Sequence, residues 1–253
     1  MKSNIEMSQE MIDRFESYLA QNDLSNSIKP SRFIETMKSH KNFIDFMNLD
    51  EQLHMEKRNP LIAVLGDSVS CGHFEMIDPE KFIVAHDPSL CYMELVKKML
   101  QEAYPMTCVS LVNSAIAGDN IRNMEKRLTR DIISFQPDLV VLNASLNWSK
   151  NRGTLDDFKA AYRTVVERIL SETEADLILL TPNVSTYEEE LRPRIDFIRQ
   201  LAEEYKVTLI DLHRMYTDVC RPEEYESVLA NRENHPTVYG HRLFAKAIMK
   251  AMA

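Results

Sequence analysis

Glycine is scarce in this chain, with only five copies among 253 residues, whereas an average protein has about 7%. Glycine is favoured where the backbone bends sharply or takes a positive φ angle. A sequence that avoids it elsewhere is expected to keep it where the backbone requires it. The five are Gly66, Gly72, Gly118, Gly153 and Gly240. Three of them, at positions 66, 118 and 240, lie beside the polar residues considered below.

Basic charge and long apolar runs are also lacking. The 30 lysines and arginines are outnumbered by 39 aspartates and glutamates, which gives a formal net charge of -9. This balance argues against nucleic acid or an anionic membrane as a partner, because both bind basic surfaces. No run of about 18 apolar residues occurs, so no membrane span is predicted. Residues 1–19 carry early acids and no apolar block, so we expect no secretory signal and a cytoplasmic location.

The cysteines show no organised spacing. They have neither the paired spacing of a metal site nor the pattern of a disulfide framework. Free thiols in a reducing compartment are therefore expected. The four are Cys71, Cys91, Cys108 and Cys220.

Residues 1–57 are predicted to form a helical extension without strands. One apolar stripe at helical spacing consists of Met11, Ile12, Phe15, Tyr18 and Leu19. A second, looser stripe consists of Phe33, Met37, Phe43, Ile44 and Met47. We expect these helices to pack on the main domain. An interface in a homo-oligomer and a lid are the alternatives.

From residue 58 to residue 253, short apolar runs alternate with amphipathic segments. Strands are predicted at 61–65, 108–112, 139–142, 177–180 and 207–210. Helices are predicted at 90–102, 121–134, 155–171, 188–205 and 238–252. Strands that alternate with helices imply right-handed crossovers and a parallel sheet covered on both faces. The prediction is one α/β domain with a five-stranded parallel sheet.

Ligands of such a sheet bind outside the carboxyl ends of the strands. Ser68 follows the first strand, and Gly118 lies in the turn after the second. Asn147 follows the third strand, and His235 precedes the last helix. A nucleophile, two kinds of N–H donor and a general base therefore converge, as acyl transfer requires. The alternative for the first turn is that Asp67 and Ser68 only cap the following helix.

These residues fall in four short blocks. The blocks are a Gly-Asp-Ser turn at 66–68, an asparagine-rich turn with a glycine at 113–119, Asn147, and His235 followed by Gly-His at 240–241. In this order they resemble the SGNH hydrolase superfamily, also called the GDSL-type esterases. The resemblance extends from residue 61 to the C-terminus and does not include the N-terminal helices.

The resemblance implies a flavodoxin-like three-layer α/β/α fold and a serine esterase or deacylase that needs no metal and no cofactor. It implies that Ser68 is the nucleophile and His235 the base. The backbone N–H groups of Ser68 and Gly118 and the Asn147 side chain would bind the oxyanion. The substrate expected by family analogy is a small acyl ester, such as an acetyl group on a carbohydrate.

Two positions depart from the family pattern. Arg232 stands where an aspartate usually orients the histidine. Either Glu233 or a backbone carbonyl could take over, and the second choice leaves a Ser–His dyad. Trp148 stands where an aspartate usually follows the block-three asparagine. It could line the site, as a stacking platform for a sugar or an apolar wall for an acyl group, or it could pack in the core. His241 is expected to be structural.

Three other functions remain open at this stage. A non-catalytic ligand-binding module on the same fold is favoured by Arg232. An acyltransferase would use the same residues as the esterase. A flavodoxin-like phosphate binder would need a glycine- and hydroxyl-rich loop after the first strand. The stretch 66–70 is a poor version of that loop, since Asp67 would repel phosphate.

Overall fold

Five parallel strands form the central sheet of the computed structural model, which describes residues 6–39, 58–78 and 83–253. The strands are β1 (Leu61–Gly66), β4 (Ser110–Asn113), β5 (Leu139–Asn143), β6 (Asp176–Leu180) and β7 (Thr208–Ile210). Their order is β4-β1-β5-β6-β7, with every neighbouring pair parallel. The predicted five-stranded parallel sheet is confirmed, with strand ends shifted by one or two residues.

The central strand β1 is buried on both faces, as its uninterrupted apolar run predicts. Ile62 and Val64 belong to one core cluster, whereas Ala63 and Leu65 belong to another. This alternation is the two-residue period of a strand. The sheet therefore separates two cores, each of which needs its own layer of helices.

Ten α-helices occur in the described part of the chain. They are α1 (Gln9–Gln21), α2 (Ser31–Ser39), α3 (Ser68–Cys71), α4 (Tyr92–Ala103), α5 (Ile121–Asp131), α6 (Leu155–Glu172), α7 (Glu188–Tyr205), α8 (Leu212–Val219), α9 (Tyr225–Val228) and α10 (Val238–Met252). Helices α5, α6 and most of α7 cover one face of the sheet, and α1, α2, α4, α8 and α10 cover the other. None of the described helices is long and apolar enough to cross a membrane.

The N-terminal helices belong to one of the two cores. Phe15 and Phe33 are fully buried in the cluster that also contains Ile62. The Phe33 N–H donates to Asp176 at the amino end of β6, at 2.9 Å. The expectation that these helices pack on the sheet is confirmed. Because α2 lies at the end of the sheet opposite the carboxyl ends of the strands, it is not placed as a lid.

The second apolar stripe is described only in part. Phe33 and Met37 are buried on α2. Its remaining members, Phe43, Ile44 and Met47, lie outside the described residues.

An antiparallel hairpin and two helices were missed in the sequence. The hairpin pairs β2 (His73–Asp78) with β3 (Ile83–His86) and directly follows α3. The helices are α8 and α9, both after β7. A signal for the hairpin was present, because polar and apolar residues alternate over 73–76 and a proline follows at position 79. It matters because β2 contributes to the site described next.

We predict that Phe15→Ala lowers the free energy of unfolding by about 3–5 kcal/mol, since it opens a cavity in a shared core. The Phe15 ring is fully buried and lies 5.0 Å from the Tyr216 ring of α8. Urea unfolding should show one transition at a lower midpoint. The exposed Ser17→Ala on the same helix is the control and should change stability by less than about 0.5 kcal/mol. A separate early transition with an unchanged main one would contradict the shared core.

Candidate active site

Ser68 lies where β1 turns sharply into the four-residue helix α3. Asp67 caps this helix, because its Oδ1 accepts a hydrogen bond from the Val69 N–H at 3.1 Å. A Cβ at Gly66 would lie 2.3 Å from Ser70 Oγ, so the chain can turn this tightly only with glycine there. Asp67 therefore fixes this turn by capping the helix, as the capping alternative proposed. The capping leaves the Ser68 side chain free for other contacts.

The imidazole of His235 connects Ser68 to the hairpin. Its Nε2 lies 2.9 Å from Ser68 Oγ, and its Nδ1 lies 2.6 Å from the carbonyl oxygen of Phe74 in β2. A carbonyl oxygen can only accept, so Nδ1 carries the proton and Nε2 accepts from the serine hydroxyl. In this tautomer a neutral imidazole can take the proton of the serine.

The ring orientation comes from a backbone carbonyl. Both ring nitrogens of His235 have partners, and neither partner is Glu233, whose side chain is exposed. Arg232 is also exposed and has a left-handed backbone with φ of 59°. Of the two alternatives left open by the sequence, the geometry selects the carbonyl. The pair is thus a Ser–His dyad in structure.

The pKa of His235 is lowered from its ordinary value. Burial in the site is the largest cause, because it disfavours the charged ring. The Phe74 carbonyl and the negative charge of Glu233 raise the pKa, but by less than burial lowers it. The ring is therefore held in the neutral form that a base requires.

A loop ordered by Asn231 positions His235. The Asn231 Oδ1 accepts from the backbone N–H groups of Glu233 at 3.0 Å, of Asn234 at 2.8 Å and of His235 at 2.8 Å. The Asn234 carbonyl in turn accepts from Asn183 Nδ2 at 2.7 Å, which ties the loop to the segment after β6. Sequence reasoning missed Asn231. Its signal was an asparagine just before the histidine, where an Asx-type turn forms readily.

Gly118 and Asn147 come from the strands that flank β1 in the sheet. The Gly118 turn is attached to β1 through a bond from the Ile116 N–H to the Gly66 carbonyl, at 3.1 Å. The Asn147 amide lies close enough to the carboxyl group of Asp67 to favour the charged carboxylate, but its Nδ2 makes no hydrogen bond to any described residue. The structure thus brings both residues to the rim that holds Ser68.

Three N–H donors at this rim have no acceptor among the described residues. They are the backbone N–H of Ser68, the backbone N–H of Gly118 and the buried Nδ2 of Asn147. Gly118 has a φ of 73°, which glycine adopts without strain. Gly118 is exposed, whereas the Asn147 Nδ2 is buried, and buried donors are rarely left without partners. A set of three is suited to bind a negatively charged oxygen.

A model of the GDSL-like lipase/acylhydrolase family matches residues 64–243. The chain belongs to this family. An acetylxylan esterase of Geobacillus stearothermophilus is 27% identical over an alignment of 175 positions that covers 63% of this chain and 79% of that protein. The chain is therefore a carboxylic ester hydrolase of the SGNH/GDSL type, and the resemblance stated from its sequence is confirmed.

Solved structures show the same fold. A lipase/acylhydrolase from Enterococcus faecalis superposes with a TM-score of 0.62 at 24% identity, covering 76% of this chain and 94% of that one. A two-domain esterase active on acetylated mannans gives a TM-score of 0.61 at 20% identity, covering 84% of this chain and 52% of that one. At these identities the likeness supports the fold and nothing finer.

The GDSL-family enzyme buries a carboxyl group next to its serine. Asp67 is fully buried, and its pKa is raised to about 7, with burial as the largest cause. The negative charge of Asp119 contributes to this rise, whereas the N–H of Val69 and the Asn147 amide oppose it. No described residue forms a hydrogen bond to its Oδ2. The ionisation of Asp67 is therefore balanced near neutral pH.

Arg127 holds the turn that carries Gly118. Its guanidinium binds Asp119 at 2.8 Å, Asp131 at 2.6 Å and the Ser114 carbonyl at 2.6 Å. Arg127 and Asp119 are both buried, so the pair is shielded from solvent. Sequence reasoning missed this residue, and no local motif marks it.

Trp148 and His241 are structural in this enzyme. Trp148 is only 7% exposed, stacks edge-to-face on Phe158 at 5.6 Å and donates its Nε1–H to the Thr154 carbonyl. Of its two interpretations, core packing is therefore the correct one.

His241 is fully buried, accepts from the Tyr92 N–H at 3.3 Å, and has a pKa lowered to about 3 by burial. It stays neutral, as a structural helix residue should.

Within residues 6–39, 58–78 and 83–253, no group of three or more His, Cys, Asp and Glu side chains could hold a metal ion.

We predict that the pKa of His235 lies below 6.5 and falls further in Glu233→Gln, because that variant removes a charge that raises it. The measurement is an NMR titration of the imidazole carbons, with His235→Asn to identify the signal among the seven histidines. A pKa above 6.5, or a rise in Glu233→Gln, would contradict the environment described for the ring.

Asp67 should make stability depend on pH. Its pKa is about 7 in the folded enzyme and 3.8 as a free side chain. The folded state therefore binds the proton more tightly, and stability is lost as pH rises from about 4 to about 7. The Asp67→Asn variant has no carboxyl group at this position, so it does not show this loss of stability. Between pH 5 and pH 8, the Tm of the wild type should therefore fall relative to the Tm of Asp67→Asn.

A matched control for Asp67 is Asp157→Asn. Asp157 also sits at a helix start, and hydrogen bonds from Thr154 lower its pKa. It stays ionised from pH 5 to pH 8, so its Tm difference should be constant. Equal behaviour of the two variants would exclude a neutral-range pKa for Asp67.

Proposed function

We propose that this enzyme is a serine esterase that removes a small acyl group, first of all acetyl, from a carbohydrate ester. In this proposal Ser68 is the nucleophile and His235 the general base and acid. The N–H groups of Ser68 and Gly118 and the Nδ2 of Asn147 form the oxyanion hole. No metal or cofactor takes part in the proposed steps.

One observation carries the proposal. Ser68 Oγ lies 2.9 Å from a histidine nitrogen, and the opposite nitrogen of that ring is fixed by a carbonyl. This arrangement supports the proposed roles of nucleophile and base, with a backbone oxygen as the orienting group in the third position. A structural role for the pair would not need the tautomer to be set in this way.

The proposed reaction has two halves. Ser68 Oγ attacks the ester carbonyl while His235 Nε2 takes its proton, and the carbonyl oxygen becomes an oxyanion bound by the three donors. The bond to the alcohol then breaks, and the alcohol leaves with the proton from His235. Water attacks the acylated Ser68 with His235 again as base, which releases the carboxylic acid and restores the serine.

The substrate class rests on relatives. The curated relative is an acetylxylan esterase, and one structural relative is active on acetylated mannans. Both act on acetyl groups of polysaccharides, so an acetylated sugar is the first substrate to test. Fold likeness alone does not fix a substrate.

The competing binding-module function loses its main support. The argument for that function was that Arg232 stands in place of the acid that usually orients the histidine. Here the orienting partner of His235 is the Phe74 carbonyl. The missing acid therefore does not leave the ring without a partner.

We predict that Ser68→Ala and His235→Ala each lower kcat on p-nitrophenyl acetate by at least about a thousandfold, because each removes a member of the dyad. The exposed Ser134→Ala should hydrolyse it like wild type. Acetate release from an acetylated xylooligosaccharide tests the substrate class, and an added sugar acceptor detects acyl transfer. Equal residual rates in wild type and both variants would favour the binding module.

A further inference from the structure

Arg152 contacts both loops that supply oxyanion donors. Its Nη1 donates to the carbonyl oxygen of Gly118 at 3.1 Å and to that of Asn147 at 2.8 Å. A guanidinium Nη group has two hydrogens, so one nitrogen can serve both acceptors. These hydrogen bonds are charge-assisted and therefore stronger than hydrogen bonds between neutral amide groups.

The two loops need such a link because they come from different strands. Gly118 follows β4 and Asn147 follows β5, which lie on opposite sides of β1. A Cβ at Gly118 would meet no atom within 4 Å, so side-chain packing does not fix the tip of this turn. Arg127 holds the neighbouring residues Ser114 and Asp119, and at Gly118 itself the carbonyl bonds to Arg152.

Arg152 is itself firmly supported. Its N–H donates to the Ser149 carbonyl at 2.8 Å, and its carbonyl accepts from Arg122 at 2.9 Å. The Arg122 guanidinium lies over the buried Trp148 ring, 5.4 Å from its centre, and pairs with Asp157 at 3.2 Å. The loop that carries Arg152 is thus anchored on an aromatic ring of the core.

We propose that Arg152 is a positioning residue that sets the spacing between the Gly118 N–H and the Asn147 amide, and hence the shape of the oxyanion hole. This inference rests on the proposed function. Arg152 fixes the peptide after each donor residue and does not touch the substrate. Because an oxyanion exists only in the transition state and intermediate, the contribution should appear in kcat more than in KM.

The test compares Arg152→Met, Arg152→Lys and wild type on p-nitrophenyl acetate. The Met variant should lose about 10- to 100-fold in kcat, since small misplacement of catalytic groups has effects of this size. KM should change by less than about twofold. The Lys variant, whose ammonium can also donate to two carbonyls, should recover part of kcat, and added guanidinium ion should partly restore the Met variant. Arg32→Met, at the far end of the sheet, is the control.

Two further readouts separate positioning from a general structural effect. In an Asn147→Ala background, Arg152→Met should cost much less than in wild type, because one of the two donors is already gone. The Gly118 amide signal should shift in the NMR spectrum of Arg152→Met while Tm stays near wild type.

The outcomes are distinct. Wild-type kcat in Arg152→Met, or full additivity with Asn147→Ala, would overturn the positioning role and leave the esterase function intact. A wild type no more active than Ser68→Ala would overturn the proposed function, and the positioning role with it.

Discussion

The hydrogen bond between His235 Nδ1 and the Phe74 carbonyl joins positions 161 residues apart, and the proposed chemistry depends on it. It exists because the chain doubles back immediately after α3. Gly72, with φ of 82°, makes this possible, since a Cβ there would lie 2.7 Å from the Asp87 carbonyl. A carbonyl has no full negative charge, so it orients the ring without strongly favouring imidazolium. The hairpin is thus as much a part of the site as the sheet.

The sheet and its main helices could be predicted because their signals are periodic and local. The turn at Ser68 and the position of His235 followed from where polar residues meet the ends of predicted strands. Arg127 and Arg152 could not be found in this way. Both bind backbone carbonyls of the loops around the site, at Ser114 for Arg127 and at Gly118 and Asn147 for Arg152. The residue type at a position does not show whether its carbonyl accepts such a bond. The same reason hid Phe74, whose side chain indicates only a buried apolar residue.

The two departures from the family pattern turn out to be connected to the architecture around the site. Arg232 occupies a left-handed position in a loop whose N–H groups bind Asn231, so the segment is ordered without an acid at that point. Trp148 packs into the core and carries Arg122 on its face. Neither side chain takes the place of the acid that the family has there: Arg232 is exposed, and Trp148 is part of the core.

The segment between α1 and α2 lies along the edge strand β7. Ser25 forms a bridge with Ile210, and the Asn26 side chain bonds to the Val207 carbonyl and the Leu209 N–H, much as another strand would. The unpaired N–H and C=O groups of an open edge strand can form hydrogen bonds with a strand of another molecule. Here the segment between α1 and α2 binds backbone groups of β7 within the same molecule. The segment thereby shields this edge of the sheet from strand exchange and aggregation. This role is separate from ester hydrolysis.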